Sequence, residues 1–505
     1  MPKPATMRLD SHVRVKSYQL KRVVVSRGQA ARGSQLWKDA QLVASELSQV
    51  TGYRVPVVEV PGQGPVIAQK GDVVLQRGSV AGVSGNPEAY RVRTVDGRVT
   101  ITGTTTVGVF WGTRTFLQGL RASGYVQTGE IVDWPAKPVR ALNVDAGCKY
   151  FSPQWFKQQI RRMSYLKMNE LEYHFSENEG FRLESKRHPE AMLGRYITQA
   201  ELRDIIAYAQ RYHVEIVPSF DMPGHFRAAL THHPSFRAAP TDEGMKILDY
   251  SNPQAVTYLN DLLRELLPLF PSQKLHMGGD EVFYPNGGLE GITKRFPRLL
   301  AYAKKHAAAG QQATIFDGFM YFLNQQYILV KALGKTDVRV WNDALYWKGT
   351  TETLNPAIDV AYWTMANDNA PSVETVRQHG HNIINYNDLA FYYNLTYPGL
   401  WYYDRPTVQR IYSWVPGDFP WKPGAKASSP ASERQCYGVP SPEWVLGGCF
   451  SIWTDHPEIE TEEQVAEGVY LRLRAMAAKV WNPATTVLLA DFCQQHDLIG
   501  DAPTT

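Results

Sequence analysis

Two consecutive carboxylates, Asp280 and Glu281, are the residues of this 505-residue chain whose type and spacing are best suited to chemistry. They follow a short apolar run and two glycines in the segment KLHMGGDEV. Two poorly solvated neighbouring acids repel each other when both are ionised, which raises one of the two pKa values. The pair therefore predicts a protonated carboxyl beside an ionised one, an arrangement suited to general acid catalysis. An isolated Asp-Glu pair would more often be a solvated loop or the first turn of a helix.

A histidine and a third carboxylate are predicted to support this pair. His225 closes the segment SFDMPGH, in which Pro223 and Gly224 impose a tight turn. The turn can aim the imidazole beside Glu281, with Glu177 of HFSENEG behind the ring as the carboxylate that orients it. A lone histidine in a turn is more often structural, so this prediction depends on the neighbouring acids.

The elements that must position these residues form a repeating pattern. After Pro138, short apolar runs alternate with amphipathic helices, and we predict eight strands, at residues 141–145, 169–175, 214–220, 274–279, 337–341, 359–363, 382–386 and 448–453. Ser152-Pro153 and Thr198 are typical of helix N-termini. The alternation predicts an α/β fold, a (β/α)8 TIM barrel, in which functional residues lie at the C-terminal ends of the strands.

A small α+β domain, residues 1–136, is predicted to precede the catalytic barrel of residues 137–505. The segment KRVVVS predicts a strand, and SQLWKDAQLVASELSQVTG predicts a helix because its apolar residues recur at helical spacing. Two further strands, AYRVRT and RVTITG, flank Asp96-Gly97, which predicts a type I′ hairpin. VGVFWGTRTFLQGL predicts a second helix. Within the barrel, a long aromatic insertion at about 390–445 is expected to form a wall of the substrate site.

Further aromatic and polar side chains follow the predicted barrel strands: Trp341, Trp363, Tyr392, Asn394, Trp453 and Asp455. Each tryptophan alone is as readily a core residue, but three at corresponding strand ends predict an aromatic box. Aromatic faces stack on the C–H surfaces of sugar rings. Carboxylates, an imidazole and aromatic rings on one barrel face are what a carbohydrate site requires.

Composition excludes several other classes of protein. The 53 basic and 49 acidic residues leave a net charge of +4 with no dense basic run, so nucleic acid is not an expected partner. The four cysteines are widely spaced, which predicts neither a metal site nor a disulfide framework, although one bridge stays open. The sequence contains no uninterrupted apolar stretch of about 18 residues, so no transmembrane segment is predicted. We expect no cofactor, and the oligomeric state is unknown from the sequence.

The ordered motifs resemble glycoside hydrolase family 20, the β-N-acetylhexosaminidases. HMGGDEV is similar to the catalytic strand of that family, DMPGH to its histidine turn and KMNELEYHFSENEGFR to its second-strand segment. The resemblance implies Glu281 as the general acid/base and Asp280 as the carboxylate that binds the acetamide N–H. It also implies Tyr392, or its neighbour Tyr393, as the phenol that binds the acetamide carbonyl, and the three tryptophans as pocket walls.

The implied mechanism is retaining and substrate-assisted. In ordinary retaining glycosidases the two carboxyl groups flank the scissile bond about 5 to 5.5 Å apart. Two carboxylates adjacent in sequence suit instead the exception in which the acetamide of the substrate is the nucleophile.

Four positions differ from the pattern of that family. Cys148 stands where an arginine usually grips the terminal sugar, Glu177 and Asn394 stand where aspartates are usual, and Asp455 replaces a common glutamate. These changes resemble the lacto-N-biosidase branch, which implies release of Galβ1-3GlcNAc from the non-reducing ends of an oligosaccharide or glycoconjugate. Two alternatives stay open. One is an exo-acting hexosaminidase that releases single GlcNAc or GalNAc, and the other is a catalytically silent glycan-binding barrel.

The resemblance to these hydrolases implies a secreted bacterial protein. Residues 1–10 lack the apolar region of a signal peptide, so a signal would lie outside this chain. A cytoplasmic location stays open as the alternative.

Overall fold

A computed structural model describes residues 4–62, 66–242, 244–283, 288–365, 370–397, 405–426, 428–430 and 432–504. Its strands are β1 Thr6–Lys16, β2 Arg22–Ser26, β3 Val57–Val60, β4 Asp72–Arg77, β5 Tyr90–Val95, β6 Arg98–Gly103, β7 Tyr125–Asp133, β8 Val139–Asp145, β9 Glu170–His174, β10 Glu215–Ser219, β11 Lys274–His276, β12 Asp337–Trp341, β13 Ile358–Tyr362, β14 Ile383–Asn385, β15 Tyr392–Asn394 and β16 Val445–Trp453.

The helices connect or follow these strands. They are α1 Gln35–Thr51, α2 Thr106–Ser123, α3 Pro153–Tyr165, α4 Gln199–Arg211, α5 Pro253–Leu266, α6 Gly288–Arg295, α7 Pro297–His306, α8 Ile315–Ala332, α9 Val373–Gln378, α10 Asp388–Phe391, α11 Val408–Ser413, α12 Glu462–Trp481 and α13 Leu489–Ile499. Ser152 and Thr198 cap α3 and α4 through their side-chain oxygens, as their sequence positions predicted. Among the described residues, no helix combines the length and apolar character needed to cross a membrane.

The N-terminal domain is a seven-stranded sheet, in the order β1-β7-β5-β6-β4-β2-β3, covered by α1 and α2. The predicted hairpin is confirmed: β5 and β6 pair antiparallel, and Asp96 and Gly97 between them have φ values of 49° and 74°. Both residues are in the left-handed region that a type I′ turn requires. The sequence predicted only three of the seven strands. For example, β1 and β7 have largely exposed or half-buried side chains and therefore little apolar periodicity.

The second domain is a closed parallel barrel, and all eight strands predicted for it are confirmed. The order β8-β9-β10-β11-β12-β13-β14 is closed by β16, which pairs with both β14 and β8. The short β15 adds to the outer edge of β16. β11 is shorter than predicted, because Gly278 and Gly279 adopt φ values of 69° and 93° instead of continuing the strand. The C-terminal ends of the eight strands thus meet at one face.

The interior of the barrel is filled by charged and aromatic layers. Arg339 of β12 donates hydrogen bonds to Glu172 at 2.6 Å and to Glu170 at 3.0 Å, and all three side chains are buried. An apolar cluster that includes Trp341 and Tyr386 follows, with Trp363 and Trp453 packed against it. The barrel is therefore a packed core that exposes an aromatic floor at its catalytic face.

The structure bears on the possible disulfide and on the aromatic insertion. All four cysteines are free, so the one bridge left open by the sequence does not form. The insertion at about 390–445 begins at the buried strand β15 and contains α11. Residues 398–404, 427 and 431 of that insertion lie outside the described part of the chain.

Candidate active site

The predicted carboxylate pair lies in a sharp turn directly after β11. Glu281 itself has a φ of 49°, in the left-handed region that non-glycine residues rarely adopt. A Cβ on Gly278 would lie 1.8 Å from Oδ1 of Asp221, so only glycine fits there. The side chain of Asp280 is 14% exposed and that of Glu281 is 40% exposed. The turn therefore buries the aspartate and leaves the glutamate accessible from the barrel mouth.

His225 lies between the predicted orienting carboxylate and the pair. Its Nδ1 is 2.9 Å from Oε2 of Glu177, and its Nε2 is 3.4 Å from Oδ2 of Asp280 and 3.6 Å from Oε2 of Glu281. Burial opposes the imidazolium, but Glu177 and Asp280 together raise the pKa of His225 well above its usual value. These acids favour the cationic form of His225, whose ring lies beside both carboxylates.

A second histidine extends the network behind Glu177. Nε2 of His174 lies 3.5 Å from Glu177 and 3.6 Å from Asp221. Burial disfavours its charged form, but Asp221 and Glu177 raise the pKa of His174 to about 9. The same burial, reinforced by the charge of Asp280, raises the pKa of Asp221 well above its usual value. This buried network fixes the position of Glu177 and thereby that of the His225 ring.

The electrostatics favour a protonated Glu281. Partial removal of the carboxyl group from bulk water, with smaller contributions from Asp280 and Asp343, raises the pKa of Glu281 to about 7, against the opposing charge of His225. Burial also raises the pKa of Asp280, while His225 opposes this shift. Glu281 can therefore hold a transferable proton near neutral pH.

The predicted aromatic residues form one contiguous pocket beside the pair. The Tyr392 ring is parallel to that of Trp363, with an interplanar angle of 6° and centroids 5.9 Å apart, and lies 5.7 Å from Trp453. The Trp341 and Trp453 centroids are 6.1 Å apart. Trp341 is almost fully buried, whereas Trp363 and Trp453 keep part of their surface exposed. These four rings therefore form one contiguous cluster, which we call the aromatic recess.

The structure distinguishes the two adjacent tyrosines. The Tyr393 hydroxyl lies 3.2 and 3.1 Å from the two carboxylate oxygens of Glu460, on the side of β15 away from the aromatic pocket. Side chains alternate along a strand, so Tyr392 and Asn394 share the opposite side. Asn394 is buried, and its Oδ1 accepts no hydrogen bond within the described residues.

Cys148 lies in the loop after β8, beside Glu177 and Glu179. Its Sγ is 3.8 Å from a carboxylate oxygen of Glu179, and its backbone N–H donates to Asp145. The other oxygen of Asp145 accepts from the backbone N–H and the hydroxyl of Thr454, so one buried aspartate joins the segments that carry Cys148 and Asp455. The Asp455 side chain is exposed. These two predicted residues therefore lie near each other at the rim of the site.

The neighbouring lysine and arginine are engaged elsewhere. Nζ of Lys149 donates to the backbone carbonyl of Pro457. The guanidinium of Arg182 donates to the carbonyls of Gly147 and Cys148, at 3.0 and 3.2 Å, and thereby holds the loop after β8. Both cations are therefore held by backbone carbonyls.

Sequence reasoning missed Asp343, a buried carboxylate two residues after Trp341. Its Oδ2 accepts the backbone N–H of Glu281 at 2.9 Å, and its Oδ1 accepts the indole N–H of Trp363 at 2.9 Å. Its position just past β12 was a usable signal, because the other site residues lie at or beyond the C-terminal ends of barrel strands.

Two groups of side chains here are of metal-ligand type. They are His174, Glu177 and Asp221, and Cys148, Glu177 and Glu179, each with ligand atoms within 4.8 Å of one another. Glu177 belongs to both groups and already binds His225. Burial raises the pKa of the Cys148 thiol well above its usual value, whereas a metal requires the thiolate. The donor set therefore fits a proton-sharing network better than an ion.

A barrel that carries a glutamate of raised pKa, a largely buried aspartate and clustered aromatic rings at the C-terminal ends of its strands is the arrangement expected of a glycoside hydrolase. Comparison with known families agrees. The catalytic domain of glycosyl hydrolase family 20 matches residues 138–484, and domain 2 of the same family matches residues 1–134. The chain belongs to glycosyl hydrolase family 20.

Individual relatives are more distant. The chain is 28% identical to β-hexosaminidase subunit A1 of Dictyostelium discoideum over 298 residues, which cover 56% of this chain and 53% of that protein. It is 25% identical to the lacto-N-biosidase of Bifidobacterium bifidum over 473 residues, or 91% of this chain and 38% of that protein. The chain thus spans about half or less of the length of these relatives.

The fold is similar to solved structures over nearly the whole chain. The β-N-acetylhexosaminidase of Bacteroides fragilis superposes with a TM-score of 0.75 at 21% identity, covering 98% of this chain and 93% of that one. At this identity the similarity establishes the two-domain fold alone.

Proposed function

We propose that this protein is a retaining β-N-acetylhexosaminide hydrolase that uses the acetamide of its substrate as the nucleophile. The observation that carries the proposal is the combination of the Asp280-Glu281 pair with the aromatic recess of Trp341, Trp363, Tyr392 and Trp453 beside it. An aromatic cluster of this kind suits an acetamide methyl group, and the neighbouring Asp280 can accept the acetamide N–H. Family membership and the related hexosaminidases support the same activity.

The chemistry divides between the two carboxylates. Glu281 donates its proton to the leaving oxygen while the acetamide oxygen attacks the anomeric carbon, which forms an oxazolinium ion and breaks the glycosidic bond. Asp280 neutralises the developing positive charge, and Tyr392 positions the acetamide oxygen. His225 stabilises the Glu281 carboxylate that remains. Glu281 then accepts a proton from the attacking water, and the second inversion restores the β configuration.

We further propose that the released unit is the disaccharide Galβ1-3GlcNAc. Cys148 occupies the position of an arginine that would bind O3 and O4 of a terminal sugar, and a small thiol leaves space for a sugar attached at O3. Lys149 and Arg182, the cations that could close that space, are bound to backbone carbonyls. Asp455 and Asn394 provide oxygen acceptors at the rim and wall. The similarity to a lacto-N-biosidase over 91% of the chain supports the assignment.

The 4-nitrophenyl glycoside of Galβ1-3GlcNAc is expected to have a kcat/KM at least about 10²-fold higher than that of GlcNAc. This ratio corresponds to roughly 2.7 kcal/mol of differential transition-state binding. Interactions with the remote galactose can be used to position the reacting GlcNAc. Removal of the galactose from the substrate should therefore both lower kcat and raise KM. Steady-state kinetics on both glycosides measure the ratio.

Each outcome selects one function. A preference for the GlcNAc glycoside would replace the disaccharide proposal with an exo-acting hexosaminidase. Binding of either sugar without any turnover would indicate a glycan-binding barrel. The Glu281→Gln variant, assayed in parallel, excludes a contaminating hydrolase.

A secreted location is also a proposal, because glycoconjugates with such termini are displayed outside cells. Enzyme activity in the culture medium of the producing organism, compared with the cell lysate, tests this location. Activity confined to the lysate would contradict it.

A further inference from the structure

We propose that Asp343 is a positioning residue that couples the proton-donating Glu281 to the wall of the acetamide recess. The inference rests on the proposed function for its catalytic meaning, but the contacts that carry it are independent of any substrate. They involve the ends of three adjacent barrel strands.

The topology places Asp343 between the two groups it binds. β11, β12 and β13 are neighbours in the barrel, and Glu281, Asp343 and Trp363 lie in the segments just past their C-terminal ends. The two oxygens of the middle residue each accept one N–H, from the Glu281 backbone on one side and from the Trp363 indole on the other, both at 2.9 Å. One carboxylate therefore joins the loops on either side of it.

Each of these contacts fixes a group that the local structure alone holds weakly. Glu281 adopts a left-handed backbone conformation, which costs a non-glycine residue of order 1 kcal/mol or more and must be maintained by its surroundings. Trp363 is only partly buried and stacks on Tyr392, so packing alone leaves its ring partly free to turn. The hydrogen bond from its indole N–H to Asp343 fixes the orientation of the ring. Loss of the Asp343 carboxylate would release both groups together.

The pairing specifically requires a carboxylate. Two donors approach from different loops, and only an ionised carboxylate offers an acceptor at both oxygens. An asparagine of the same size accepts one N–H and directs its own NH₂ group at the other. In its ionised form Asp343 is also a like charge near Glu281, and it then favours the protonated form of the acid.

The pH dependence of kcat/KM distinguishes this role from simple support of the fold. Glu281 is active when protonated, so activity is present below its pKa, near 7, and is lost as the pH rises through that value. Replacement of Asp343 by a neutral amide removes a like charge and lowers the pKa of Glu281. The basic limb of Asp343→Asn should therefore shift by about one unit to lower pH. The same variant should bind a thiazoline mimic of the cyclised intermediate roughly tenfold more weakly, because the recess wall loses its anchor.

Asn342→Ala is the matched control. Asn342 lies in the same loop as Asp343 and binds the loop after β13, since its Oδ1 accepts the backbone N–H of Trp363 and its Nδ2 donates to the carbonyl of Thr364, but it carries no charge. Its removal should lower the thermal stability without moving the basic limb. Asp343→Glu, which keeps a carboxylate, should restore the limb toward that of the wild type. A limb that stays within about 0.2 unit of the wild type in Asp343→Asn would overturn the inference.

A second measurement avoids the variant in case Asp343→Asn does not fold. Burial and the charge of Asp280 raise the pKa of Asp343 to about 7. In the ¹⁵N-indole NMR spectrum of the wild type, the Trp363 resonance, assigned by its loss in Trp363→Phe, should titrate between pH 5 and 9. A resonance that does not move over this range would contradict the coupling. This readout needs no turnover, so its failure is distinct from failure of the proposed hydrolase activity.

Discussion

Glu281→Gln is expected to lower kcat by about 10²- to 10⁴-fold on a glycoside with a poor leaving group, because glutamine has no proton to transfer. A dinitrophenyl glycoside, whose leaving group needs no protonation, should lose much less in the bond-breaking step. Pre-steady-state kinetics on the two substrates separate these cases.

The control for this variant is Glu467→Gln on the outer helix α12. Its carboxylate pairs with Arg162 and is 72% exposed, so its loss should leave kcat within about twofold of the wild type. Near-normal turnover of the poor-leaving-group substrate by Glu281→Gln would show that Glu281 is not the general acid.

Asp280→Asn is expected to lower kcat by about 10²- to 10³-fold, because an amide cannot neutralise the oxazolinium ion that forms beside it. The two carboxylate variants should differ in one respect. The charge at Asp280 is needed for ring closure whatever the leaving group, so a dinitrophenyl substrate should not rescue this variant. Rescue equal to that of Glu281→Gln would mean that Asp280 acts through protonation of the leaving group instead.

Much of the barrel follows from local sequence pattern. Its strands are apolar runs bounded by capped helices, and the rule that barrel sites lie past the strand ends identifies Glu177, His225, Asp280 and Glu281 from the sequence alone. The structure brings these four side chains into one hydrogen-bonded and ion-paired network.

The residues that sequence did not settle depend on contacts between distant segments. Tyr392 and Tyr393 are chemically alike, and they are distinguished by the contact of Tyr393 with Glu460, 67 residues further along the chain, and by the stacking of Tyr392 on Trp363. Asp343 is a single aspartate in a loop, and its importance arises from an N–H 62 residues earlier in the chain. Similarly, β15 has three residues inside an aromatic insertion, too few for a periodic signal.

The identity of the nucleophile is the central claim, and substrates with one, two or three fluorines on the N-acetyl group test it most directly. Fluorine withdraws electrons from the acetamide oxygen and weakens it as a nucleophile, with little change in size. If that oxygen attacks the anomeric carbon, kcat/KM should fall steeply with each added fluorine. The series consists of the unfluorinated 4-nitrophenyl glycoside and its three fluorinated analogues. Values that stay level across the series would show that the protein or water supplies the nucleophile, and would contradict substrate-assisted catalysis.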